Sequence, residues 1–326
     1  MGGKRAVFLR RRVLQLTLNT MTHEPRPARL SLGISIALIA YFFLAIASCL
    51  VFSFRGRFPT IQIIFIQNFV SFFCILPWAI RKGWGPLKTT ELPTHLLRDF
   101  FGVVSYYLFF LAIRFLNLVD ATTLNYTAPF FVPFVWWIWM RQRVEKHVWV
   151  SIIIGFIGVA VILNPTKNIF QLGFVFGLFA GITAAISLSA VRVLNLKRES
   201  MSRTLFYYFS FGSLVSFPFA WASWIPPTGY EWIFAAGIGV ATAAGQVLLT
   251  IAYRYGTASY LSPLGYSAVI YNGVISLFFF ERPLGLHSLI GTALIVIGGS
   301  LTYLWKKKPH PLKSSFESDQ KTKPPL

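Results

Sequence analysis

The sequence predicts an all-α polytopic membrane protein whose ten transmembrane helices form two inverted five-helix repeats. Three observations carry that prediction. Of 326 residues, 55% are hydrophobic and only 12% charged, about half the charged share of an ordinary soluble domain, and the mean hydropathy is +0.62. Apolar runs near the length that crosses a hydrocarbon core about 30 Å thick recur ten times. Finally, the chain matches itself at an offset of 140 residues. A soluble globular protein and a secreted disulfide scaffold are both excluded. Cys49 and Cys74 each fall inside an apolar run, where a thiol behaves as a small hydrophobe.

The spans run from Ser31 to Phe54, Pro59 to Ile80, Asp99 to Leu116, Ala121 to Met140, His147 to Leu163, Gly173 to Val193, Thr204 to Trp224, Trp232 to Tyr253, Ala258 to Phe280 and His287 to Trp305. The third has a short apolar core, so Asp99 and Arg114 are expected to snorkel to the interfaces. The fourth ends in Trp136, Trp137 and Trp139, read as an aromatic belt with a substrate cage as the alternative. Breakers follow the fifth span (Asn164, Pro165), the seventh (Pro226, Pro227, Gly229) and the ninth (Pro283), as short antiparallel connections require. Gly173, Gly177 and Gly181 in the sixth span, and Gly237, Ala241 and Gly245 in the eighth, have the four-residue spacing of close helix packing.

Domain organisation follows. Residues 1–30 form a basic cytoplasmic segment, 31–165 and 171–305 the two repeats, and 306–326 a basic disordered tail. Adjacent arginines before a short apolar stretch at Phe8 to Leu18 do not read as a secretion signal, because no small-residue cleavage site follows. Either Met1 or Met21 serves as the start. With the N-terminus inside, 25 of the 30 Lys and Arg residues are cytoplasmic and 5 external, so both termini are expected in the cytoplasm. The net charge of +20 therefore orients helices in a lipid bilayer and implies no nucleic-acid partner.

At the 140-residue offset Gly33 falls on Gly173, Arg114 on Arg254, Tyr126 on Tyr266, His147 on His287 and Gly158 on Gly298. Coincident Arg, Tyr, His and Gly pairs are harder to reach by chance than Leu or Ala pairs. Five spans per copy is an odd number, so the second copy enters the membrane from the opposite side. Such a pair of halves is the geometry of alternating access around a midplane site.

Ala112-x-Arg114 and Ala252-x-Arg254 close the third and eighth spans, LNYTAPFFVPF fills the fourth, Glu281 follows the ninth, and the fifth and tenth are Gly-rich. In these features, over Ser31 to Trp305, the chain resembles the drug/metabolite transporter superfamily, EamA type. It departs from that pattern at Gln67 and Asn68, where a basic residue commonly sits in the second span, and at Glu145, an acid displaced by a few residues. The resemblance implies a bacterial inner-membrane protein whose first, third, fourth, sixth, eighth and ninth spans line a central cavity. It also implies amino-acid export as the broad activity, with uptake of S-adenosylmethionine known within the superfamily.

Polar groups are costly in hydrocarbon unless they face a cavity or one another. Thr122, Asn125, Tyr126 and Pro129 share one face of the fourth span, and Ser262, Tyr266, Ser267, Tyr271 and Asn272 mirror them on the ninth. Pro129 frees a backbone carbonyl that either binds substrate or kinks the helix. Tyr41, Tyr106 and Gln246 complete the expected substrate-binding set of Tyr41, Tyr106, Asn125, Tyr126, Gln246, Tyr266, Ser267 and Tyr271. The competing reading makes these residues interhelical glue. Asp120 reads as a helix N-cap or a coupling acid. Arg114 and Arg254 read as interface anchors or as gate residues, Arg114 then pairing with Asp120.

An aromatic cavity with few charges suits a zwitterion or a cation held on ring faces. The expected function is secondary active transport of a small organic metabolite, an amino acid or another zwitterion or cation such as S-adenosylmethionine. No cofactor or metal is expected, and a homodimer is allowed. Enzymatic activity is not expected, because no paired carboxylates, P-loop, HExxH or Gly-x-Ser-x-Gly element occurs in the spans. The alternative is a non-transporting polytopic scaffold or receptor, for which the mirrored polar faces would have no use.

Overall fold

The computed structural model describes residues 27–81, 83, 87–140, 146–163, 172–197, 199–252, 255, 262–280 and 285–304. Arg254, Glu145, Glu281 and both predicted terminal segments, apart from the helical residues 27–30, lie outside these residues. The described chain is helical, with no strand. Its elements are α1 (Pro27–Ser53), α2 (Thr60–Ile80), α3 (Leu92–Phe115), α4 (Leu118–Asn125), α5 (Ala128–Met140), α6 (Lys146–Leu163), α7 (Leu172–Leu196), α8 (Met201–Ala222), α9 (Glu231–Ala252), a 3-10 turn (Ser262–Tyr266), α10 (Ser267–Phe280) and α11 (Leu286–Leu304). Helix covers most of the described part of every predicted stretch, with a break at Tyr126 and Thr127 in the fourth. By length and composition, α2, α3 and α9 and the segments Ser31–Ser53 of α1 and Leu172–Asn195 of α7 are apolar enough to cross a membrane.

Four packings dominate: α3 against α7, α1 against α9, α2 against α8 and α6 against α11, while α4 and α5 lean on α7 and α10 leans on α1. The outside is apolar. Leu214, Trp221, Ile233, Phe278 and Phe279 are all exposed, which water would penalise and lipid would not.

Three boundaries differ from those the sequence predicts. α3 begins at Leu92, with a proline in its first turn, and so takes in the polar run His95, Arg98 and Asp99. Asp99 does not snorkel. It is fully buried and Arg98 Nη1 donates to its Oδ1 at 3.2 Å, while the Arg98 guanidinium lies 3.7 Å from the centroid of the Tyr208 ring on α8. Partners from a distant helix are what make burial of that charge tolerable.

The fourth predicted span is two helices. Leu124 O accepts from Thr127 N at 3.1 Å and from Thr127 Oγ1 at 2.6 Å, so the carbonyl that would continue α4 is already satisfied. Pro129 then falls in the first turn of α5, where its missing N–H costs nothing. It starts a helix; it does not kink one. In the ninth predicted span the 3-10 turn ends at Tyr266, 140 residues after Tyr126.

Candidate functional site

Between α1, α3, α4, α9 and α10 lies a cleft walled by Leu44, Ala47 and Ser48, by Tyr106, Phe109 and Phe110, by Thr122, Asn125 and Tyr126, and by Thr242, Ala268 and Asn272. The sixth predicted span, α7, supplies none of this wall. No wall residue carries a formal charge. The space is about 40 Å³, room for a few waters against the ~300 Å³ or more of a typical small-ligand site. A metabolite therefore enters only if the walls move.

Hydrogen bonds tie the wall together across the two halves of the chain. Gln246 Nε2 donates to Tyr106 Oη at 3.2 Å, and these positions are 140 residues apart. Asn272 Nδ2 donates to Thr122 Oγ1 at 2.9 Å, and Ser48 Oγ donates to Asn272 Oδ1 at 3.2 Å. Asn125 Oδ1 is buried with no hydrogen-bond partner among the described residues. A buried acceptor left open this way is what a ligand's donor would satisfy.

Of the predicted binding residues, Tyr106, Asn125 and Tyr126 reach the cleft. Tyr41 stands behind it, edge-on to Tyr126 with ring centroids 6.1 Å apart. Tyr266 is buried in the main apolar core. The Ser267 hydroxyl is buried without a partner among the described residues, and Tyr271 packs edge-on against Phe42 at 5.5 Å, away from the cleft. Ser48 and Thr242 were not anticipated. Their signal is helical spacing: Tyr41, Leu44 and Ser48 lie at i, i+3 and i+7, and Thr242 and Gln246 at i and i+4.

The anticipated gate pair does not form. Arg114 Nη1 donates to Thr60 Oγ1 at 3.4 Å, and Asp120 is held by the side chain of Asn117. Asn117 is also the N-cap of α4, its Oδ1 accepting from Asp120 N at 2.8 Å. The cap is therefore three residues earlier than the sequence suggested, and Asp120 stands in the first turn of α4, its Oδ2 accepting from Asn117 Nδ2.

A second polar cluster lies at the end of the bundle where α3 begins. Glu199, in the α7–α8 connection, accepts from Thr89 Oγ1 at 3.0 Å, from Arg203 and sits 3.4 Å from His95 Nε2. Burial alone would raise the Glu199 carboxyl, but the bonds from Arg203, Thr89 and His95 outweigh it and hold it below the usual range. A carboxyl depressed on folding stabilises the protein above its unfolded pKa, about 4.3, and loses that contribution as pH falls through its folded value. In detergent, wild type is expected to melt above Glu199→Gln at neutral pH, and the gap is expected to close as pH falls below about 4. A gap constant with pH would remove the ionised Glu199 from the account.

A pseudopaline exporter of Pseudomonas aeruginosa is 27% identical over 268 residues, covering 81% of this chain and 93% of its own. An S-adenosylmethionine uptake transporter of Rickettsia felis is 26% identical over 258 residues, covering 77% and 85%. Both are named as transporters, not enzymes. A protein of known crystal structure shares the fold at TM-score 0.61 and 16% identity, over 87% of this chain and all of that one. The model of the EamA-like transporter family matches residues 31–164 and again 171–304. This chain, with its uncharged cleft between two matched halves, belongs to the EamA-like transporter family.

Proposed function

We propose that the protein is a secondary transporter of the bacterial inner membrane, with both termini cytoplasmic, that moves a small zwitterionic or cationic metabolite by alternating access between two inverted five-helix repeats. The observation that carries this reading is the cleft itself, bridged by the bond between the repeat-related Tyr106 and Gln246. Exchange of the two halves also maps the α1–α9 packing onto the α7–α3 packing, and α2–α8 and α6–α11 each onto themselves. Interrupted helices at Tyr126 and Tyr266 suit a midplane site, where irregular backbone is tolerated if it lines a cavity.

The wall favours ring faces and neutral hydrogen-bonding groups. A cation or zwitterion fits those, and a multiply charged anion does not, since no Lys or Arg lines the cleft. The names of the two relatives give pseudopaline as exported and S-adenosylmethionine as taken up, so relatives of this chain move small metabolites in either direction. Amino acids and S-adenosylmethionine are accordingly the first candidates here.

The test is an untargeted mass-spectrometric comparison of cells and medium with the intact protein and with Tyr126→Ala expressed at equal level. One compound is expected to change compartment only with the intact protein. If none moves in either direction, the reading gives way to a membrane scaffold or receptor.

A further inference from the structure

Among the described residues, two lysine– or arginine–carboxylate pairs join the two halves of the chain, one at each end of the bundle, and the His95–Glu199 contact joins them beside the second. Arg57 Nε, in the α1–α2 connection, lies 3.0 Å from Oε1 of Glu231, the first residue of α9. Lys197, the residue after α7, pairs with Glu91, the residue before α3. The two pairs are images of one another under the repeat, since 140 residues separate Arg57 from Lys197 and Glu91 from Glu231. Cation and carboxylate keep their roles in both copies. One pair therefore fastens the end of α1 to the start of α9, and the other fastens the end of α7 to the start of α3, the two packings that repeat exchange interconverts.

We propose that these pairs are the two latches of the transport cycle, Arg57–Glu231 closing the external end and Lys197–Glu91 the cytoplasmic end, so that the cleft opens to either side only when the pair on that side parts. The proposal rests on the alternating-access reading and adds to it the residues that keep each side shut. Both latches are closed in this structure, in keeping with a cleft of about 40 Å³.

The chemistry suits a reversible contact. Each cation is half exposed, 47% for the Arg57 side chain and 46% for Lys197, so on release it moves into water without stranding a buried charge. Each carboxylate keeps other donors. Glu231 accepts from Thr228 N at 2.8 Å and Thr228 Oγ1 at 2.9 Å, and Glu91 from Thr94 Oγ1 at 3.3 Å. The buried Arg98–Asp99 pair has neither property: it is sequestered, and it joins neighbours within α3.

The experiment reads which side the cleft is open to. In a Cys49→Ser, Cys74→Ser background, Ala47→Cys places a single thiol on the cleft wall, and Thr242→Cys serves as a second, independent reporter. A membrane-impermeant maleimide is applied to right-side-out and to inside-out vesicles. Glu231→Gln is expected to raise labelling from the external side roughly two- to fivefold, the scale set by one exposed ion pair, and Glu91→Gln to do the same from the cytoplasmic side. Exchanging the charges, Arg57→Glu with Glu231→Arg, is expected to restore the background rate. Unchanged labelling in both variants, a rise on both sides at once, or no restoration by the exchange would each overturn the latches. Labelling needs no substrate. A side-specific rise without any metabolite moving would keep the latches and defeat the transport reading, whereas metabolite transport with labelling unaffected would defeat the latches alone.

Discussion

Replacing Gly181 with leucine is expected to leave little folded protein. A Cβ at Gly181 would stand 2.4 Å from Thr127 Oγ1 and 2.9 Å from Leu124 O. Those are the two atoms whose hydrogen bond ends α4, so accommodating any side chain there means moving the break between α4 and α5, not one flexible tip. Inserting extra carbons into a packed interior typically costs about 1–3 kcal/mol and sometimes more, and leucine inserts four. Gly177 offers a milder comparison. Its added Cβ would meet Leu124 Cδ1 at 2.8 Å and Leu124 Cβ at 2.9 Å, atoms of a side chain that can partly give way. Monodisperse yield in detergent and the melting midpoint decide the matter: Gly181→Leu lost, Gly177→Ala recovered with a lowered midpoint. Wild-type yield and midpoint for Gly181→Leu would mean that α7 does not seat the α4–α5 break.

The small-residue spacing that motivates this prediction was legible in the sequence, as were the helices, because twenty apolar residues in a row have few other uses. What they pack against was not. Thr127 and Pro129 sit inside a single stretch of span length, Ala121 to Met140, so the interruption shows only once the Thr127 hydroxyl is seen on Leu124 O. The start of α3 was missed for the opposite reason. His95, Arg98 and Asp99 look like an interfacial run, and their burial depends on Tyr208 and Glu199, about a hundred residues downstream. The gate residues teach the same lesson. Arg114 invited pairing with Asp120 because Arg254 matches it in the repeat, whereas the lysine and arginine pairs that join the halves among the described residues span 174 and 106 residues. The 140-residue offset, applied to charged residues outside the spans, would have aligned Arg57 with Lys197 and Glu91 with Glu231.

Tyr126→Ala is expected to lower transport of the compound identified by the metabolite comparison about tenfold or more while leaving the protein folded, whereas Tyr266→Ala is expected to act first on the fold. Tyr126 is half-buried on the cleft wall, with one edge on Tyr41, so truncation removes a ring face without emptying the core. A ring face holding a desolvated cation contributes about 2 kcal/mol or more, enough for that loss. Tyr266 is only 3% exposed and packs in the main core. Cutting it to alanine empties a site where an aromatic-to-alanine change costs about 3–5 kcal/mol, and the melting midpoint should fall before any transport effect is read. Tyr126→Phe separates the two ways in which the ring can act. If the face binds a cation, phenylalanine retains transport within about twofold; if the hydroxyl is the contact, phenylalanine fails as alanine does, and the substrate is a neutral hydrogen-bonding molecule. Normal transport with Tyr126→Ala would sink the placement of the site in this cleft, because Tyr126 lines its wall and a substrate held between α1, α3, α4, α9 and α10 would meet that ring.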